Sequence, residues 1–161
     1  MRRSIRFTSL AAAFLAVTAA AAPARAKWPP WLSIESPVNP FDRSLDGSVL
    51  LVHAATHDGV PNLSDVSGSA EGIVNGARRS VALHFDAIAR PGVFALRKQW
   101  PAEGTWLLRI SLASTTALVS LDGAGRVSGV NIPATFAEGR PIPRAVVARD
   151  IDSTLMVASV R

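Results

Sequence analysis

The fold of this 161-residue chain is decided by one stretch, Pro91–Leu112, which reads PGVFALRKQWPAEGTWLLRISL. Apolar residues alternate in both halves, as is typical of strands with one face in a core. Pro101 cannot donate a ladder hydrogen bond and Gly104 lets the backbone turn, so the halves are predicted to form a hairpin. Its tryptophans would each bury about 150–250 Å², which indicates the centre of the core. The alternating residues are Phe94, Leu96, Trp100, Trp106, Leu108, Ile110 and Leu112.

The first 26 residues have the three parts of a secretory signal peptide. Arg2, Arg3 and Arg6 make the beginning positive, and an apolar run follows over Ser9–Ala22. Residues 24–26 read ARA, the small-x-small ending that signal peptidase accepts. The apolar run has about 14 residues, fewer than the roughly 20 that cross a membrane as a helix. We therefore predict that residues 1–26 are removed during export.

Removal of this leader changes the charge of the protein. The chain has 17 basic and 12 acidic residues, but four arginines lie in the leader, which leaves 13 against 12 and a net charge of +1. Nucleic-acid binding then has no basic surface to support it. The sequence contains no cysteine, which excludes disulfides. We expect residues 27–161 to form a single periplasmic or secreted domain without a membrane span.

Short apolar runs separated by Gly and Pro predict an all-β protein. Ser48–Thr56 is apolar at consecutive positions, as is typical of a central strand covered on both faces. Asn75-Gly76 predicts a two-residue hairpin turn. Ala134–Pro143 is interpreted as a loop, and Ile151–Ser159 as a short helix with Asp150 as its N-cap. Further strands are predicted at Leu32–Ser36, Val66–Ile73, Arg79–Phe85, Thr116–Leu121 and Arg126–Ile132.

About eight short strands are the outline of an immunoglobulin-like β-sandwich, which we expect together with the C-terminal helix. Within residues 48–112, GSA from Gly68, PGVF from Pro91 and GTW from Gly104 resemble strand motifs of the YtkA-like domains. That family consists of exported immunoglobulin-like modules, similar in architecture to the CopC-like copper-handling proteins. The leading interpretation of the sequence is a non-catalytic interaction or accessory module of the cell envelope. Its alternative is a periplasmic module that binds or delivers copper.

Three histidines are the candidate metal ligands, because imidazole is the commonest metal ligand in proteins. They are His53, His57 and His84. Residues four apart on a straight strand lie about 13 Å apart, so His53 and His57 can share a copper or zinc ion only if the strand ends before His57. His84 would have to join them from a neighbouring strand. This requirement ranks the metal-binding module below the interaction module, and no cofactor is assigned.

Catalytic motifs are missing from the sequence. It has no Gly-x-Ser-x-Gly elbow, and its carboxylates are spread singly rather than in acid–base pairs. An enzyme is therefore not expected, and a small hydrolase with no recognisable motif is the third alternative.

The mature chain would begin with an aromatic, proline-rich arm. Trp28 and Trp31 enclose two prolines, which fix φ and stiffen the backbone. We expect Trp31 to be buried beside Leu32 and Ile34. Trp28 lies nearer the new terminus, so we expect it to be exposed and to contact an unidentified envelope protein.

Cleavage is predicted between Ala26 and Lys27. N-terminal sequencing of the exported protein is expected to read Lys-Trp-Pro-Pro. A mature pool that keeps Met1 would contradict the leader assignment.

Overall fold

The computed structural model describes residues 29–64 and 66–159, apart from the side chains of residues 158 and 159. Strands dominate the architecture and a single helix ends it, as predicted. The strands are β1 (Trp31–Glu35), β2 (Ser48–Ala55), β3 (Ser67–Val74), β4 (Ala77–Leu83), β5 (Asp86–Ala87), β6 (Val93–Arg97), β7 (Thr105–Leu112), β8 (Thr115–Leu121), β9 (Val127–Asn131), β10 (Ala134–Ala137) and β11 (Arg140–Pro143). A 3-10 helix spans Arg43–Leu45, and helix α1 spans Ala148–Ser159.

The strand order is that of an immunoglobulin-like sandwich. One sheet has the order β1-β2-β6-β5, and the other has the order β4-β3-β7-β8-β9. In immunoglobulin domains, strands A-B-E-D form one sheet and C-F-G form the other. Strands β1-β2-β6-β5 match the first order, and β3-β7-β8 match the second. The prediction of an immunoglobulin-like β-sandwich is confirmed.

The main core lies between the two sheets. All seven alternating residues of the stretch 91–112 belong to this core, as predicted. Strand β2 is covered on both faces, because Leu50 and Val52 point into the main core while Leu51 packs on the outer side. Its central position in the sheet is also as predicted. Leu51 is accompanied there by Leu45, Val93 and Ala95.

The predicted pairing of the two halves of Pro91–Leu112 is wrong. Strand β6 pairs with β2 and β5, whereas β7 pairs with β3 and β8 in the opposite sheet. Residues 98–104 therefore cross between the sheets. The alternation correctly identified the core face of each strand, but two strands that face each other across a sandwich show the same alternation as two strands in one hairpin.

Trp106 sits against a position where only glycine fits. Gly72 is its register partner on β3, and a Cβ atom built on Gly72 would lie 2.5 Å from the indole ring. The indole is 4% exposed, and its Nε1–H donates a hydrogen bond of 2.8 Å to the carbonyl of Glu103. Many immunoglobulin-like domains have a tyrosine near the start of strand F that bonds backbone a few residues upstream. Trp106 makes the same kind of bond from the second position of β7.

The segment Ala134–Pro143, predicted as a loop, is a hairpin. Among the strands that the structure describes, β10 and β11 pair with each other and with no third strand, around Glu138 and Gly139, which both have positive φ. Proline within a run argues against a strand because it lacks a donor. In a two-stranded sheet each strand has one unpaired edge, so Pro141 and Pro143 are tolerated.

Helix α1 begins at Ala148, three residues before the predicted start. Asp150 lies in its first turn and accepts a hydrogen bond from the backbone N–H of Val147. Both carboxylate oxygens also accept from Arg144, each at 2.7 Å. These bonds, that of Arg144 first, lower the pKa of Asp150 to about 2. The helix then packs Leu155 on the outer face of the second sheet, against Leu107 and Leu118.

Replacement of Trp106 by alanine is expected to lower the free energy of unfolding by about 3–5 kcal/mol, because it empties a large aromatic site in the core. Urea unfolding of Trp106→Ala and wild type measures this loss. Phe41→Ala is the matched control, since Phe41 is 92% exposed and its loss should change stability by no more than about 0.5 kcal/mol. Similar losses in both variants would contradict the central role of Trp106.

The Asp150–Arg144 pair is expected to make stability pH-dependent in acid. The folded pKa of Asp150 is below the ordinary 3.8, so its contribution is complete at higher pH and falls as pH drops from about 4 towards 2. Urea unfolding should show Asp150→Asn less stable than wild type at neutral pH, with the gap narrowing over that interval. Glu103→Gln is the control, because no bond to its carboxylate is seen in the described residues. A gap that stays constant with pH would contradict this linkage.

Candidate functional site

A groove of about 470 Å³ opens between the beginning of β1, the beginning of β8 and the hairpin β10–β11; we name it the Trp31 groove. Its volume falls in the range of small-ligand sites. Most of its lining is apolar, and much of it is proline. The apolar walls include Pro29, Pro30, Leu32, Ile132, Pro141 and Pro143, and the polar lining residues are His57, Thr115 and Arg140.

Trp31 is 63% exposed, so the prediction that it is buried is wrong. Leu32 is buried and Ile34 packs against the core, so the inward face of β1 carries these two residues. The side chains of the alternate positions lie on the opposite face. Trp31 immediately precedes Leu32 and therefore faces outward. The alternation of side chains along β1 predicts this outward direction, whereas the apolar character of Trp31 led to the prediction that it is buried.

Trp31 is oriented by His57. Its Nε1–H donates to Nδ1 of His57 over 3.3 Å, and the two ring centroids lie 6.4 Å apart. An imidazole nitrogen that accepts a hydrogen bond carries no proton, so this bond assigns the proton of the neutral ring to Nε2. His57 lies in a turn after β2 that is closed by a bond from Gly59 N–H to the Thr56 carbonyl. The turn therefore sets the direction of the tryptophan.

The proline wall beside Trp31 is attached to the sandwich. The hydroxyl of Thr115, a buried residue at the start of β8, donates a hydrogen bond of 2.8 Å to the carbonyl of Pro30. Pro29 and Pro30 have no backbone N–H to satisfy. This wall is thus stiff, and its backbone offers no donor to a ligand.

The opposite wall is the hairpin β10–β11. A bond from Arg144 N–H to the Pro133 carbonyl closes its base, and its strands join neither large sheet. Pro141, Pro143 and Arg140 line the groove from β11. Because this segment was predicted to be a loop, sequence reasoning missed the hairpin and Arg140 as parts of a site. The pair Glu138-Gly139 between two short runs was the available signal.

The three candidate metal ligands have different neighbours. His53 Nε2 lies 2.7 Å from Glu35 Oε2, and His84 Nε2 lies 3.5 Å from Asp86 Oδ1. His57 has left the strand, as a shared site would require, but its Nδ1 is bonded to Trp31. Within residues 29–64 and 66–159, no group of three or more His, Asp or Glu side chains is placed to hold a metal ion. The structure does not assemble the shared site.

In the described part of the chain, four groups have pKa values that are shifted by local hydrogen bonds. The Ser44 hydroxyl and N–H lower the pKa of Asp42, and the N–H of Arg126 leads the causes that lower the pKa of Asp122. The hydrogen bond between Asp150 and Arg144 raises the pKa of Arg144, and the same bond lowers the pKa of Asp150. None of these four groups lines the Trp31 groove. They cap helices and close turns.

No family model, curated protein or solved structure matches the chain. Among the described residues, no helix has the length and apolar character needed to span a membrane. Trp28 and the leader lie outside the described residues, so the predictions made for them stay predictions.

Proposed function

We propose that the protein is an exported, non-catalytic immunoglobulin-like binding module of the cell envelope, and that it binds an apolar ligand in the Trp31 groove. The observation that carries this proposal is the setting of Trp31. A large aromatic side chain that stays 63% exposed, held by His57 at a proline-walled groove, is suited to contact something outside the fold. Exposed tryptophans that meet a pocket are frequent anchors of binding.

Two features support an exported accessory module. The leader over residues 1–26 has the three parts of a signal peptide. The short strand motifs within residues 48–112 resemble those of the YtkA-like domains. The sandwich is compatible with such a module.

The non-catalytic part of the proposal is supported by the polar groups of the groove. The indole N–H of Trp31 donates a hydrogen bond to His57 Nδ1, and the hydroxyl of Thr115 donates one to the Pro30 carbonyl. No carboxylate lines the groove within the described chain. A nucleophile–base pair, which covalent catalysis requires, is not seen among these lining residues.

Titration with Nile red, a neutral apolar dye, tests this function. We expect the exported protein to bind the dye with a rise in fluorescence, and Trp31→Ala to weaken that binding several-fold. The Trp31 side chain is mostly exposed, so the variant should remain folded, as thermal unfolding would verify. Phe41→Ala is the matched control, because it removes an exposed aromatic ring outside the groove.

Two outcomes would overturn the proposal. One is a wild-type protein that does not bind the dye. The other is equal binding by wild type and Trp31→Ala, which would place the apolar binding surface elsewhere.

A further inference from the structure

The hairpin that forms one wall of the Trp31 groove carries a further aromatic ring. Ala134, Pro141 and Pro143 of this hairpin line the groove. Ala134 is the register partner of Pro143, and Phe136 is the register partner of Pro141. Opposite residues of an antiparallel pair, and residues two apart along a strand, share one face of the sheet. Phe136 therefore lies on the same face of the hairpin as these three lining residues.

The Phe136 ring is available for contact with a ligand, since Phe136 is 77% exposed. Across the described part of the chain, the exposed tryptophan and phenylalanine residues are Trp31, Phe41 and Phe136. Two of these three belong to the groove or to the hairpin face that continues it. Exposed apolar side chains that adjoin one another mark interaction sites more often than scattered ones do.

Phe136 adds length to the apolar surface. A strand rises about 3.3 Å per residue, so Phe136 lies about 7 Å beyond Ala134 along β10, towards the tip of the hairpin. The surface thus begins at Trp31 on β1, crosses the proline walls and continues to the Phe136 ring. A ligand that contacts both rings has to be long as well as apolar.

The chemistry of this surface suits a hydrocarbon chain. The side chain of Phe136 has no polar atom, and Pro141 and Pro143 have no backbone N–H. An extended peptide lying along these walls would leave backbone groups without hydrogen-bond partners, which costs free energy. A linear alkyl chain requires no hydrogen bonds, and each methylene group that leaves water favours binding.

We infer that the protein binds one linear alkyl chain of a single amphiphile molecule, with one part of the chain in the Trp31 groove and its far part against Phe136. This inference rests on the proposed function and adds both the class of ligand and a second aromatic contact. The groove volume of about 470 Å³ suits one small molecule.

Displacement of bound Nile red by hexanol and decanol tests the inference. These linear primary alcohols have the same polar end and differ in chain length alone. We expect the exported wild-type protein to bind decanol at least about tenfold more tightly than hexanol, because the additional methylene groups leave water. Phe136→Ala should lower the affinity for decanol several-fold and leave that for hexanol unchanged, whereas Trp31→Ala should lower both.

Two further variants serve as controls. Phe41→Ala removes another exposed phenylalanine, which does not line the groove, and it should behave as wild type with both alcohols. Phe136→Leu keeps part of the apolar area and should keep part of the affinity for decanol. Thermal unfolding should show that Phe136→Ala is folded, because the residue is exposed.

The outcomes separate this inference from the proposed function. A decanol affinity that is unchanged in Phe136→Ala, or equal losses for the two alcohols, would overturn the placement of the far part of the chain against Phe136. Failure of both alcohols to displace bound Nile red would overturn the alkyl chain and leave the apolar groove standing. Failure of Nile red itself to bind would overturn the proposed function.

Cosedimentation with phosphatidylcholine vesicles distinguishes a single molecule from a membrane. We expect the wild-type protein to remain in the supernatant. Pelleting with the vesicles that is lost in Phe136→Ala, in a protein that does not bind decanol, would assign this surface to a membrane and overturn the inference.

Discussion

The indole of Trp106 against Gly72 is the contact on which the rest of the sandwich depends. Gly72 belongs to a series of small residues on β3. Gly68, in the same series, also has no room for a side chain, since a Cβ there would lie 2.4 Å from the Arg109 carbonyl and 3.3 Å from the Phe85 ring. The small residues of one strand thus make room for two large rings. Without cysteine, the two sheets have no disulfide between them, and these rings fill the space instead.

The same tryptophan fixes the path of the chain between the sheets. Its Nε1–H bonds the Glu103 carbonyl, and the next residue, Gly104, has a φ of 94°. A Cβ on Gly104 would lie 2.5 Å from the Ile73 carbonyl, so the crossing segment passes directly over the end of β3. Glycine is required there both by the backbone angle and by the lack of space. The Trp106 ring therefore stabilises the connection between the two sheets as well as the core.

Which residues face the core could be predicted from the sequence, whereas which strands pair could not. Periodicity of two reports the face of a side chain, and it correctly placed Phe94, Leu96, Trp106 and their neighbours in the core. It carries no information about the partner strand, so the halves of Pro91–Leu112 were wrongly paired. At Trp31 the error ran the other way, because apolar character was preferred to the parity set by Leu32 and Ile34.

The candidate site was not predicted from the sequence because its walls are rich in proline, and the same prolines give the groove its apolar lining. Proline lowers the expectation of a strand because it has no N–H, and Pro141 and Pro143 led to a loop assignment for β11. In the folded protein those prolines line the Trp31 groove together with Pro29 and Pro30, which come from the distant start of β1. The missing donors mean that the walls neither extend a sheet nor leave N–H groups unsatisfied. Walls without N–H donors beside the exposed indole of Trp31 therefore support the proposal of an apolar ligand over that of an added peptide strand.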